Sequence, residues 1–237
     1  GINVLRLRIP VSDSRRWEPD TPWLYQLQVR LYHSDTRERL DTRRSTFGMR
    51  TFRMETETPP RGRFFLNNRE IKLRGANTMG HLQQCVMNNQ TDQLIEDILI
   101  AKRAHVNFFR LTQRPVQDEI YDLCDRLGMM TQTDLPLFGV LRRPRFSEAI
   151  RQAQEMERLI RSHPCNILVT YINEPFPNAM DEPHRHLTRI ELESFVQAAD
   201  QAVHLLNPDR VIKAFDGDYD PPGPGLPDNH CYCGWYN

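Results

Sequence analysis

The residues best placed by type to do chemistry are Asn173 and Glu174. They follow the β-branched and aromatic run Val169-Thr170-Tyr171-Ile172 and precede Pro175. The run suits a buried strand, whereas an amide, a carboxylate and a proline do not belong in a core. A strand of this kind therefore delivers Asn-Glu at its carboxyl end, and Pro175 sets the turn away from it. Low-dielectric walls around such a carboxylate raise its pKa toward the range useful for a general acid. An amide beside it can bind a substrate hydroxyl. A surface turn that merely ends a strand is the competing explanation, so the choice rests on what else stands at strand ends.

Several other polar residues stand there. Asn77, Arg110, Asp134, Asp216 and Tyr236 each close a strand-like run. Up to about residue 57 the runs are short and alternate with period two, as in Leu27 to Tyr32 and again from Arg43 to Phe52, with Gly48 as an expected bulge or bend. After Thr58-Pro59-Pro60 strands alternate with helices. Strands are expected at Ile71–Ala76, Val106–Leu111, Met129–Thr133, Ile167–Ile172, Val211–Phe215 and His230–Tyr236. Thr91, Ser147 and Thr188 are the expected openings of helices, the last with Glu191 in a capping box. Repeated β-α-β units imply an α/β fold with a parallel sheet. Six strands in this order fit an open doubly wound sheet or an incomplete (β/α)8 TIM barrel. No G-x-G-x-x-G follows a strand, and polar residues gather at several strand carboxyl ends, where a barrel builds its site. The barrel is the better fit.

Composition removes other classes. Lys+Arg and Asp+Glu number 31 each, so no global field favours nucleic acid or an anionic membrane. No apolar run approaches the roughly 18 residues that span a bilayer. The five cysteines are scattered, without zinc-type spacing, so small buried hydrophobes are the expectation and no metal site is assigned. The compartment stays open.

A set of ordered motifs then resembles glycoside hydrolase family 2, the β-galactosidase, β-glucuronidase and β-mannosidase group. Trp17-Glu18-Pro19-Asp20-Thr21-Pro22-Trp23-Leu24-Tyr25 is similar to the "W-x-P-x-x-P-x-L-Y" that opens the family's immunoglobulin-like domain. Phe47-Gly48-Met49-Arg50-Thr51-Phe52 resembles the "FGxRxF" that leaves it, and Phe65 to Asn77 the "FxLNGxxxxLRGxN" of the first barrel strand. Asn107-Phe108-Phe109-Arg110, Tyr121 to Gly128, and His163-Pro164-Cys165-Asn166-Ile167 resemble the "NxxR", "YxxCDxxG" and "HPSxI" that follow in order.

The resemblance implies a retaining exo-β-glycosidase acting on a carbohydrate, with residues 1–57 as part of an immunoglobulin-like β-sandwich and 58–237 as the barrel. Glu174 corresponds to the general acid/base. Asn173 corresponds to the residue that contacts the sugar's 2-hydroxyl, and Arg110, Asp134, Asn77, Tyr232 and Trp235 fall where the family lines its sugar site. The nucleophilic glutamate lies on the family's seventh strand, so no residue of this sequence is assigned to it. The 237 residues are thus expected to be an internal fragment, inactive alone. Departures exist. The usual "RxSHxP" reads Arg110-Leu111-Thr112-Gln113-Arg114-Pro115, with Arg114 taken to stand in place of the site histidine. The usual "NxHE" reads Asn77-Thr78-Met79-Gly80, which displaces His81. No cofactor is expected; the resemblance allows Mg2+ or Na+, for which no complete ligand set can be assembled. A catalytically silent carbohydrate-binding relative and a family 5 glucanase are the rival readings.

Overall fold

The computed structural model describes residues 5, 7–138, 141–175 and 187–217. Its first element is a hairpin of β1 (Tyr25–Tyr32) and β2 (Arg39–Phe47), antiparallel with Tyr25 opposite Phe47. The period-two pattern of Leu27, Val29 and Leu31 places these three side chains on one face of the ribbon, where all are exposed. Tyr25 stacks on Phe47 with ring centroids 5.6 Å apart and anchors the open end. The second run ends at Phe47, earlier than expected, because Gly48 passes too close to a neighbour for strand pairing. A Cβ on Gly48 would lie 2.5 Å from Pro164 Cγ and 3.2 Å from Trp17 Cβ.

A three-stranded antiparallel sheet follows, of β3 (Phe52–Met54), β4 (Phe64–Leu66) and β5 (Arg69–Ile71). Asn67 and Asn68, at φ 50° and 66°, turn the chain between β4 and β5. Two consecutive left-handed residues make the tight reversal that matches strand twist, and asparagine tolerates it. This hairpin corrects the expected strand Ile71–Ala76. Ile71 pairs back to Phe64. The first parallel strand, β6 (Gly75–Asn77), begins only after Arg74.

From there β/α units alternate. α1 (His81–Met87) and α2 (Thr91–Arg103) lead to β7 (Phe108–Leu111), and α3 (Asp118–Leu127) leads to β8 (Met130–Asp134). A 3-10 turn over Arg143–Arg145 enters α4 (Phe146–Ile160), which precedes β9 (Asn166–Thr170) and β10 (Ile172–Asn173). α5 (Arg189–His204) then leads to β11 (Val211–Ile212) and β12 (Phe215–Asp216). The parallel sheet has the order β6-β7-β8-β9-β11, and β10 pairs with β12 beyond it.

That order decides between the two architectures. Each strand lies beside its successor and the order never reverses, whereas a doubly wound sheet reverses at a switch point. The described residues therefore form the first five units of a singly wound barrel. The expected sixth strand, at His230–Tyr236, lies outside them. Helix faces close the outer layer at three- and four-residue spacing, as in Leu94 and Ile98, Ala149, Ala153, Met156 and Ile160, and Leu192, Phe195, Ala199 and Val203, all buried.

Helix ends follow local chemistry with two corrections. Thr188 caps α5 by accepting from the Glu191 N–H, while Glu191 accepts from the Thr188 N–H at 2.8 Å, the reciprocal capping box. Gly128, at φ 70°, ends α3. Thr91 and Ser147 are not caps; Gln90 and Arg145 hold those positions. No helix among the described residues is long and apolar enough to cross a membrane. Cys85, Cys124 and Cys165 are free and buried.

Candidate active site

The carboxyl ends of four neighbouring strands deliver one hydrogen-bonded cluster. Arg110, on β7, is its centre. Its Nε and Nη2 donate to Asp134 Oδ2 at 3.0 and 2.6 Å, and Nη2 also donates to Asn173 Oδ1 at 2.6 Å. Its Nη1 lies 2.9 Å from Asp216 Oδ1. From one layer below, Gln132 Nε2 reaches Asp134 Oδ1 at 3.2 Å, and Thr170 Oγ1 and Asp216 Oδ2 at 2.9 Å each. Lys213 Nζ closes the set at 2.8 Å from Asp216. Two cations thus face two carboxylates, and Arg110, Asp134, Asn173 and Asp216 are all buried. Burial pushes the Asp134 carboxyl above the usual range against the pull of Arg110, with the charge of Asp216 adding to the rise.

Strand parity brings Asn173 into this cluster. Thr170 and Asn173 both bond to its members, yet they are three residues apart, and an unbroken strand would put them on opposite faces. The backbone supplies the missing step at Tyr171. The N–H groups of Tyr171 and Ile172 both donate to Ala214 O, at 3.0 and 3.1 Å, which is a bulge with one extra residue. Tyr171 turns into the helical layer, where its ring meets Phe195 edge-on at 6.1 Å.

Glu174 follows at once and leaves the strand pattern. Its φ is 50°, and its N–H donates to Asp216 O at 2.7 Å. A non-glycine residue in this region costs about 1–2 kcal/mol, and such strain concentrates at functional sites. Glu174 is half-buried, on the rim of a buried polar floor. A floor of amide, carboxylate and guanidinium suits a ligand rich in hydroxyls, and a rim carboxyl can hand over or take a proton.

Four of the expected residues stand together. Arg110, Asp134 and Asn173 share the cluster, and Glu174 adjoins it. Asn77 pairs in register with Arg110, but it is exposed and stands outside the hydrogen-bonded set. Tyr232 and Trp235 lie outside the described residues. The reading of Arg114 is corrected. Counted from Arg110 to Pro115, the motif's histidine position is Gln113, at φ 70°, whose N–H donates to Asp134 Oδ2 at 3.2 Å. Arg114 is exposed. His81 stands on α1, where it pairs with Asp97 at 2.7 Å. Sequence reasoning missed Gln132 and the closing role of Asp216. The signal for Asp216 was present, a carboxylate at a strand end; Gln132 sits in mid-strand and gave none. Asp134 and Asp216 are bonded to Arg110, Gln132 and Lys213.

The fold and the motifs find counterparts among known proteins. Residues 60–190 match the model of the glycosyl hydrolases family 2 TIM barrel domain, and residues 2–50 match a second glycosyl hydrolases family 2 model. The β-glucuronidase of Bacteroides uniformis aligns with a TM-score of 0.68 at 24% identity, over 86% of this chain and 25% of that one. The β-glucuronidase of Parabacteroides merdae aligns at 0.66 and 22%, over 85% and 24%. That of Ruminococcus gnavus, in complex with D-glucuronic acid, aligns at 0.63 and 22%, over 85% and 33%. This chain spans a quarter to a third of those proteins. With the barrel model matching more than half of its length, the chain belongs to glycosyl hydrolase family 2.

Proposed function

We propose that the protein carrying this chain is a β-glycosidase of the retaining kind, with Glu174 as general acid/base. The observation that carries this is the position of Glu174, strained and half-buried at the carboxyl end of the fourth barrel strand, beside Arg110, Asp134 and Asn173. A retaining enzyme sets two carboxyl groups about 5–5.5 Å apart across the glycosidic bond. Glu174 protonates the leaving oxygen while the second carboxylate attacks the anomeric carbon, and Glu174 then deprotonates the water that releases the sugar. The second carboxylate is the seventh-strand glutamate that the family resemblance implies, so turnover needs a polypeptide that holds both. Asn173 and Asp134 bind sugar hydroxyls, and Arg110 fixes both in place.

The structural neighbours named β-glucuronidases make an aryl β-glucuronide the first substrate to try, with the β-galactoside beside it. Proton NMR of the full-length protein acting on its substrate tests the mechanism. The sugar released first is expected as the β-anomer; a first-formed α-anomer removes the retaining reading. A silent sugar-binding relative is the second reading, favoured by Gln113 at the histidine position. It requires sugar binding by calorimetry with no hydrolysis of any aryl glycoside.

A further inference from the structure

On α1 and α2 of the first β/α unit, three side chains with metal-ligating atoms converge. His81 and Cys85 are four residues apart on α1, which puts them on one helix face. Asp97 comes from α2. His81 Nε2 lies 2.7 Å from Asp97 Oδ2 and 4.0 Å from Cys85 Sγ, and the three ligand atoms all lie within 4.8 Å of one another. Gln93 Nε2 donates to Asp97 Oδ1 at 2.8 Å, so it orients the carboxylate and leaves the other oxygen toward the histidine. This is the outer support that metal-bound carboxylates and histidines receive.

We propose that His81, Cys85 and Asp97 form a binding site for a thiophilic divalent cation of the Zn2+ class. Tetrahedral zinc with bonds of about 2.0–2.3 Å needs donor atoms about 3.3–3.8 Å apart. The observed spacings bracket that range, so rotamer adjustment of two side chains closes the site. One thiolate, one imidazole and one carboxylate leave a fourth position to water. A thiolate and a carboxylate also neutralise a divalent charge, which favours the ion in a half-buried place. The donor set selects Zn2+ or Co2+ over Mg2+ and Ca2+, which prefer oxygen ligands alone. A free cysteine thiol, with an ordinary pKa of about 8.5, carries its proton at neutral pH. Binding forms the metal–sulfur bond, breaks the S–H bond and releases the proton to solvent.

The site has a consequence for the barrel mouth. α1 follows directly on Thr78-Met79-Gly80, the loop that leaves β6, with Met79 and Gly80 at φ 46° and 88°. A cation joining α1 to α2 pins this loop beside Asn77.

Cobalt is the probe. Titration of the full-length protein with Co2+ is expected to give a thiolate-to-metal charge-transfer band that saturates at one equivalent. Zn2+ displaces it and excess Mg2+ does not. Cys85→Ser removes the band, and His81→Ala or Asp97→Asn weakens binding by about 10-fold or more. Zn2+ raises the unfolding temperature of the wild type and leaves that of His81→Ala where it was. The absence of a charge-transfer band overturns the proposal, as does a band of unchanged affinity in His81→Ala. His81 is 59% exposed, so that variant folds and decides the matter even if Cys85→Ser does not.

Discussion

At the scale of the residue, Glu174 is where a side chain, a strained backbone and a neighbouring polar floor meet. If it is the acid/base, Glu174→Gln removes the proton it must give and take while leaving shape and hydrogen bonding nearly intact. General acid–base catalysis is worth about 10²–10⁴ in rate, and the turnover of unactivated β-glycosides is expected to fall by that factor. Substrates with an acidic phenol leaving group need no proton, so their first step suffers far less, and added azide restores the second step as a nucleophile needing no base. Wild-type rates for the variant on unactivated glycosides would exclude Glu174 from the role. Much of this site was legible. Arg110, Asp134, Asn173 and Glu174 are polar side chains that end apolar runs, and such residues have few other reasons to stand there. What composition and spacing hid was the phase of the strand. The extra residue at Tyr171 is set by Ala214 O, 43 positions along the chain, and no local pattern reports it. Gln132 was hidden for a related reason: a mid-strand glutamine looks like a lapse in a buried run until its three acceptors are seen.

At the scale of the element, the loop from α4 to β9 is held by one side chain of α3. Asp125 accepts from the Cys165 N–H at 2.9 Å through Oδ1 and meets His163 Nδ1 at 2.7 Å through Oδ2. The Tyr121 ring lies 5.2 Å from the imidazole. Burial disfavours the His163 cation, but the hydrogen bond and charge of Asp125, with Asp122 and Asp118 behind it, outweigh burial and raise its pKa. A raised histidine pKa means that the folded state binds the proton more tightly than the unfolded chain. The stabilisation is full below the unfolded value of about 6.5 and is lost as pH rises through the folded one. His163→Asn keeps a donor for Asp125 without the charge. Urea unfolding is expected to show a stability gap between wild type and variant that is widest below about pH 6.5 and narrows in alkali. A gap that is constant with pH would show that the imidazolium contributes nothing. The motif His163-Pro164-Cys165 was visible in the sequence as a family mark, but its partner Asp125 was not, since packing alone brings the two segments together. The same holds for His81 and Asp97. Element types were readable from period and punctuation, whereas the Asn67-Asn68 reversal moved the first barrel strand because two asparagines can adopt what the pattern assigns to glycine.

At the scale of the whole molecule, the amino-terminal segment is fastened to the amino end of the barrel, opposite the polar cluster. Trp17 is fully buried and its Nε1 donates to Asp125 O at 2.8 Å, so it belongs to the contact with α3. Gly48 packs against Pro164. Arg50 donates to Pro164 O and Asn166 O at 2.8 and 2.7 Å, and burial brings its guanidinium pKa down to about 10. Lys102 Nζ reaches Pro19 O at 2.7 Å. On the same side, the buried pair Arg210–Glu157, with Nε–Oε2 at 2.7 Å, ties β11 to α4 and reads as stability chemistry. A molecule joined in this way is expected to unfold as a unit. Trp17→Ala opens a large cavity at the joint and strands the Asp125 carbonyl, and truncation of a buried tryptophan costs about 3–5 kcal/mol. The loss is expected in the barrel as well as in the amino-terminal strands, so hydrogen exchange at α3 and β9 accelerates together with exchange at β3 and β4. Acceleration confined to residues before β6 would mean that the two parts are only laid side by side, and that the barrel holds its shape without the tryptophan.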